Sequence, residues 1–137
     1  MPTIPDSNII LDLLYGVEPW AGWSRQWYAH CADEAAMITN AVIVAEATPR
    51  ILEAKDAKAA VEAFGLNYES IPVEAAYLAG RAHLSYRERG GNKARILPDF
   101  LIGGHASARG YRILTRDAAR YRSYFPSVEI IAPDTHP

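Results

Sequence analysis

Short apolar segments alternate with helical patterns along this whole chain, and that alternation restricts its fold more than any other feature. Residues 3–5, 36–39, 68–71, 112–115 and 128–131 read as brief strands, each separated from the next by one or more helix-forming stretches. Strands joined through helices pair in parallel, and a parallel sheet needs cover on both faces. The expectation is an α/β chain with one layered core.

Helix signals fill the gaps. Ser7 or Asn8 caps a helix whose apolar stripe is Ile9, Ile10, Leu13 and Leu14, and Gly16 ends it. Trp20, Trp23 and Trp27 recur at spacings of three and four and line one face of a second helix, as core or as a partner surface. Residues 41–47 are β-branched enough for a strand, but Asn40 before them and Pro49 after them favour a helix. Residues 53–64 are rich in Ala, Lys and Glu and stop at Gly65. Pro72 sits in the first turn of a helix with Val73, Tyr77, Gly80 and Leu84 as its buried stripe. Ala75, Ala76, Ala79 and Ala82 let a neighbour approach closely. The last long helix runs from Asp99 to Arg109 and closes at Gly110.

Size and composition exclude several classes. With 137 residues, half of them apolar and 22% charged, the chain reads as one domain over 1–137 and not as disorder. No apolar run approaches the roughly 20 residues that cross a bilayer. The N-terminus lacks a basic region and carries Asp6 and Asp12 among its apolar residues, so it reads as structure and not as a signal peptide. Cys31 is alone, which rules out an internal disulfide and a thiolate metal site and fits a reducing cytoplasm.

The net charge of −2 hides a division. Residues 1–80 hold four Lys or Arg against eleven Asp or Glu, whereas residues 81–122 hold ten against three. Either the fold intermixes the two segments, or the second forms a basic surface that meets phosphate.

Four acids fall where an open parallel sheet binds its ligands, beyond the carboxyl ends of the strands. Asp6 and Asp117 follow apolar strand candidates, Asp99 opens a helix, and Glu46 lies on the helix after the second strand. Carboxylates gathered in a half-buried cleft need a compensating cation. Oxygen-only ligation suits Mg²⁺ or Mn²⁺, which orients a water for in-line attack on a phosphodiester. Against this stands the ordinary use of Asp as a helix cap, and spacing leaves both readings open.

Ile4–Pro5–Asp6–Ser7–Asn8–Ile9–Ile10–Leu11–Asp12–Leu13–Leu14, the segment from Asn40 to Glu46, Leu97–Pro98–Asp99–Phe100–Leu101–Ile102–Gly103–Gly104–His105–Ala106 and Leu114–Thr115–Arg116–Asp117 occur in an order that resembles the PIN-domain family. More narrowly, the chain resembles the VapC-type toxins of toxin–antitoxin modules, and Tyr121–Arg122–Ser123–Tyr124–Phe125–Pro126 is similar to that family's ending. The resemblance implies a three-layer sandwich with a central parallel five-stranded sheet and helices on both faces. It implies a metal-dependent endoribonuclease acting on tRNA or rRNA, leaving a 5′-phosphate and a 3′-hydroxyl. Asp6, Asp99 and Asp117 then correspond to metal-binding acids, with Glu46 completing the catalytic quartet directly or through water. Ser7, Asn8 and Thr115 match polar positions that support them. A VapB-like antitoxin and a homodimer are the expected partners, with no membrane association and DNA touched only through the antitoxin. Where many relatives carry a further acid after the position of Asp117, this chain has Ala118, Ala119 and Arg120, and Gly103–Gly104 replaces the usual Gly–Ala step.

Other residues read more plainly. Arg112, Arg116 and Arg120 surround Asp117 and, with Arg87, Arg89, Lys93 and Arg95, form a candidate phosphate track. His105 lies six residues after Asp99 and points to the opposite helix face, as a core or solvent-facing histidine. Asp12 reads as a polar-face residue and Cys31 as buried filler. A housekeeping RNA-processing nuclease and a non-catalytic interaction module that receives a basic peptide are the alternatives.

Overall fold

In the computed structural model, which describes residues 1–93 and 96–137, five short strands form one parallel sheet. They are β1 (Thr3–Pro5), β2 (Met37–Thr39), β3 (Leu66–Tyr68), β4 (Arg112–Leu114) and β5 (Ile130–Ile131). The helices among the described residues are α1 (Ser7–Tyr15), α2 (Ala21–Glu34), α3 (Ala41–Ala47), α4 (Ala54–Ala63), α5 (Val73–Glu88), α6 (Leu97–Arg109) and α7 (Ala119–Tyr124). The strand order is β3-β2-β1-β4-β5, with helices on both faces: a PIN-like three-layer sandwich, as expected. The chain builds outward from β1 to β3, then returns to place β4 on the other side of β1. The switch point therefore lies between β1 and β4, where Thr3 faces Arg112 and Pro5 faces Leu114.

The three central strands β1, β2 and β4 are buried throughout because a parallel sheet between helical layers exposes no face, whereas the edge strand β3 buries only Leu66. Ile4, Ile38, Ile113, Leu114 and Ile131 supply its apolar side chains, packed against Ile9, Ile43, Phe100 and Ile102 from the helices. Three elements are displaced from their expected bounds. β3 begins at Leu66, not Tyr68, because Leu66 is the residue that buries against β2, in register with Met37. α6 begins at Leu97, so Pro98 lies in its first turn, where a missing N–H is harmless. Asp6, not Ser7 or Asn8, caps α1 by accepting from the Ser7 N–H at 2.7 Å.

The buried face of α5 is the alanine face expected to admit a close neighbour, Ala76 excepted, and not the stripe of larger residues. Val73, Tyr77 and Leu84 are exposed, Tyr77 by 65% and Val73 by 84%, while Ala75, Ala79 and Ala82 are buried. The physical reason is the helix they meet. α6 presents Gly104, and a Cβ there would lie 2.4 Å from the Ala75 carbonyl oxygen. Such close backbones leave room only for alanine between them. Gly103 is equally confined on its other side, where a Cβ would meet the Phe125 ring at 2.4 Å. The Gly103–Gly104 step is thus a packing requirement of α6.

Gly104→Ala should destabilise the protein by about 1–3 kcal/mol, since Ala75 backbone cannot yield cheaply. Gly80→Ala on the open face of α5, where a Cβ meets nothing within 4 Å, should instead stabilise by up to about 1 kcal/mol. Urea denaturation midpoints of the two variants should move in opposite directions.

Candidate functional site

The carboxyl ends of β1 and β4 bring Asp6 and Thr115 together at the switch point. The Asp6 backbone N–H bonds the Leu114 carbonyl at 2.8 Å, and its side chain, 5% exposed, turns inward. One carboxylate oxygen accepts from the Ser7 N–H; the other accepts from the Thr115 hydroxyl at 2.8 Å and the Tyr121 hydroxyl at 3.0 Å. Despite these donors, burial pushes the Asp6 carboxyl above its ordinary value, and the negative charge of Asp99 adds to the effect.

Glu46 comes to the same place from α3. Its Oε1 accepts from the Ser7 hydroxyl at 3.0 Å, and that hydroxyl also lies 3.4 Å from Asp6, so Ser7 spans the two acids. Burial raises the Glu46 carboxyl, with Asp6 and Asp99 contributing repulsion. Asp99, in the first turn of α6, is raised by burial and further by Asp117, while Arg120 pulls the other way by pairing with its Oδ2. Asp117 is exposed on the loop after β4, and its N–H donates to the Thr115 hydroxyl oxygen at 3.0 Å. Asn8 donates to the same oxygen at 3.3 Å and accepts from the Arg116 N–H.

The structure therefore brings Asp6, Glu46 and Asp99 into one electrostatically coupled group with Asp117 beside Asp99. Ser7, Asn8 and Thr115 are the polar groups threaded between them. Among the described residues, however, no three His, Cys, Asp or Glu side chains stand close enough to hold an ion as they are. The guanidinium of Arg120 is the cation in contact with Asp99. The donor chemistry, carboxylate and hydroxyl oxygen without sulfur, nevertheless fits a hard divalent cation.

Two sequence readings need correction. Arg112 does not face the acids. It opens β4 at the opposite end of the sheet and is buried, donating to the Thr3 hydroxyl at 2.7 Å and to Glu34 at 2.5 Å. Strand polarity explains the error: four residues after Arg112 the chain has crossed the whole sheet. Asp12 is not on a polar face. It is fully buried, held by Arg116 at 2.8 and 3.0 Å and by the Ser24 hydroxyl at 2.6 Å. Its place three residues after Ile9 on the helix was the signal for burial. Of the tryptophans, Trp23 and Trp27 take the core reading and pack against the core, Trp23 donating to the His136 carbonyl at 2.6 Å and Trp27 meeting the His136 ring edge-on, whereas Trp20 precedes α2 and lies under Arg116.

His105 is a core histidine, fully buried between Asn40 at 2.9 Å and Glu69 at 3.1 Å. Asn40 in turn caps α3 by accepting from the Ile43 N–H, as expected. Cys31 is buried filler. Arg95 lies outside the described residues. Tyr121 escaped the sequence reading as a site residue, although its place four residues after Asp117 on a short helix lets it return to the acids. No described helix is long and apolar enough to cross a membrane.

No protein-family model and no curated protein matches the chain in sequence. Solved structures do match it in shape. It is similar to VapBC2 from Rickettsia felis bound to a DNA fragment from their promoter, with a TM-score of 0.73 at 13% identity, covering 96% of this chain and 98% of that one. FitAcB from Neisseria gonorrhoeae matches with a TM-score of 0.66 at 17% identity, over 98% of this chain and 99% of its own. VapC20 from Mycobacterium tuberculosis, described as a sarcin-ricin loop cleaving toxin, matches with a TM-score of 0.67 at 12% identity, over 88% and 94%. At these identities the likeness is one of fold: the chain has the PIN-like architecture of the VapC-type toxins.

Proposed function

We propose that this chain is a Mg²⁺- or Mn²⁺-dependent endoribonuclease, a VapC-type toxin that cleaves structured RNA such as tRNA or rRNA. The observation that carries the reading is the buried Asp6 carboxylate at the switch point, coupled to Glu46 and Asp99, in a fold shared with toxins of that class. Asp6, Asp99 and Asp117 are the residues that would hold the ion, with Glu46 reaching it directly or through water. The bound ion supplies counter-charge to the acids and to the phosphoryl oxygens and orients the attacking water.

The chain's own groups do the rest. Thr115, Tyr121 and the Ser7 N–H fix the Asp6 carboxylate so that it needs no reorganisation. Ser7 engages Glu46 Oε1, leaving Oε2 to accept a proton from water. Arg120, which stands on Asp99, would be free to meet phosphate charge if that acid held a cation. Arg116 is committed to Asp12 and contributes as a fixed wall more than as a mobile cation.

Partners follow the same reading. The neighbours in fold include toxin–antitoxin complexes, which supports a VapB-like antitoxin here. An apolar cleft of about 680 Å³, lined by Val44, Ile51, Val61, Leu66 and Tyr68 among others, is a surface such a partner could cover. The exposed Val73, Tyr77 and Leu84 of α5 support association with a second copy.

The purified protein should cleave structured RNA with Mg²⁺ or Mn²⁺, and Asp6→Ala or Asp99→Ala should lower the rate by about 10²-fold or more while circular dichroism stays native. Cleavage that persists in excess chelator contradicts the mechanism. Growth arrest on induction, relieved by a co-expressed neighbouring antitoxin, separates a toxin from a housekeeping nuclease.

The pH dependence has a definite sign. Because the folded protein raises the carboxyls of Asp6, Glu46 and Asp99, protons compete with a cation at pH values above 3.8 and 4.5, where such groups ordinarily titrate. Mn²⁺ affinity, measured by calorimetry, should therefore rise with pH and already be falling on acidification before pH 4.5 is reached. Arg120→Ala should raise that affinity several-fold at neutral pH, since the guanidinium no longer competes for Asp99; unchanged or weaker binding would contradict the competition.

A further inference from the structure

A second cleft, of about 300 Å³, opens beside Asp117 and is walled by Trp20, Arg116, Arg122, Pro133 and Asp134. Its volume is at the low end for small-molecule sites and suits one planar group. Both of its guanidinium groups are already neutralised. Arg116 is held bidentately by Asp12, and Arg122 by Asp134 at 2.5 and 2.9 Å. An anion therefore gains little there that the carboxylates do not already have.

What the cleft offers instead is flat surface and a hydrogen-bonding edge. The Arg116 guanidinium lies 5.3 Å over the half-buried Trp20 ring. It cannot swing away, because its partner Asp12 is fully buried and itself fixed by the Ser24 hydroxyl. A buried ion pair of this kind contributes less to stability than apolar packing of the same volume, and its benefit is orientation. Here it orients a cation–aromatic stack at the mouth of the cleft. Beside this stack and the apolar Ala118, Ala132 and Pro133 of the lining, the paired Arg122 and Asp134 present donors and acceptors together, which matches the mixed edge of a nucleobase and not a phosphate.

We propose that this cleft is a nucleobase subsite, which stacks one base of the RNA on Trp20 and Arg116 and hydrogen-bonds its edge through Arg122 and Asp134. The inference rests on the nuclease reading and deepens it: Asp117 borders both the cleft and the acid group, so the base bound here belongs to a nucleotide flanking the scissile phosphodiester. Trp20 is then a positioning and specificity residue, and Asp12 and Ser24 act through Arg116.

The test is binding of a fluorescently labelled, single-stranded RNA in excess chelator, where no cleavage occurs, across a series of salt concentrations. Trp20→Ala should weaken binding about tenfold, the size of one base–aromatic stack, with the slope of log affinity against log salt unchanged. Trp20→Phe should bind within a few-fold of wild type. RNA should also quench tryptophan emission in the wild type, and Trp20→Phe should remove that quench while keeping its affinity, a readout that does not require the alanine variant to fold. Wild-type affinity in Trp20→Ala, a changed salt slope, or a quench that survives in Trp20→Phe overturns the subsite. A protein that binds RNA through Trp20 yet never cleaves it overturns the nuclease reading and leaves the base subsite standing.

Discussion

The buried carboxylate of Asp6 is the interaction on which the rest of this site depends. It caps α1, it ends β1, and it receives hydroxyls from β4's exit at Thr115 and from α7 at Tyr121. Two neighbouring strands and two helices are thus tied at one charged group. Removing a carboxylate from water is costly, and hydrogen-bond donors recover only part of that cost. Burial still dominates its titration, with repulsion from Asp99 added. The fold accepts an unfavourable charge at its switch point, and such charge is the ordinary sign of a group kept for chemistry.

The division of charge along the sequence resolves mostly inside the protein. Acids of the first part meet arginines of the second: Asp12 pairs with Arg116 and Glu34 with Arg112. Two more of those arginines pair within the second part and the tail, Arg120 with Asp99 and Arg122 with Asp134. Intermixing, the plainer of the two sequence readings, accounts for the first two; the other two are neutralised locally. A continuous phosphate track does not emerge from the arginines around Asp117. Arg87 and Lys93 line a cleft of their own, and Arg89 lies over the Tyr124 ring.

What could be read from the sequence followed from local rules. Strand–helix alternation rests on the pattern inside each short segment, and the Asn40 cap and the stops at Gly16 and Gly110 rest on residues within one turn of each other. The failures needed knowledge of the partner surface. Tyr77 and Leu84 are more apolar than Ala75 and Ala79, yet the alanines face inward because Gly104 brings a second backbone too near for anything larger. Arg112 looked close to Asp117 in sequence but stands at the other end of a three-residue strand. Asp12 looked polar because of its charge, although its spacing from Ile9 already put it on the buried stripe. The candidate acids were legible individually; that Arg120 would stand on Asp99 was not, since an ion pair across two helices leaves no periodic trace.

The two halves of the acid group differ in how freely they can respond. Asp6 and Glu46 are tied to Ser7, and Asp6 also to two buried hydroxyl donors, so their positions are set by the sheet and by α1. Asp99 and Asp117 belong to the outer half: Asp99 is engaged by a partly exposed arginine, and Asp117 touches its neighbours through its backbone. On the proposed reading, bringing three carboxylates around a cation would call for movement on the outer side, where Asp99 and Arg120 are both partly exposed. A site built this way keeps its inner wall preorganised and leaves assembly to side chains in contact with water. In the proposed nuclease, the arginine that resides on Asp99 would hold the outer half apart until a stronger cation competed for it.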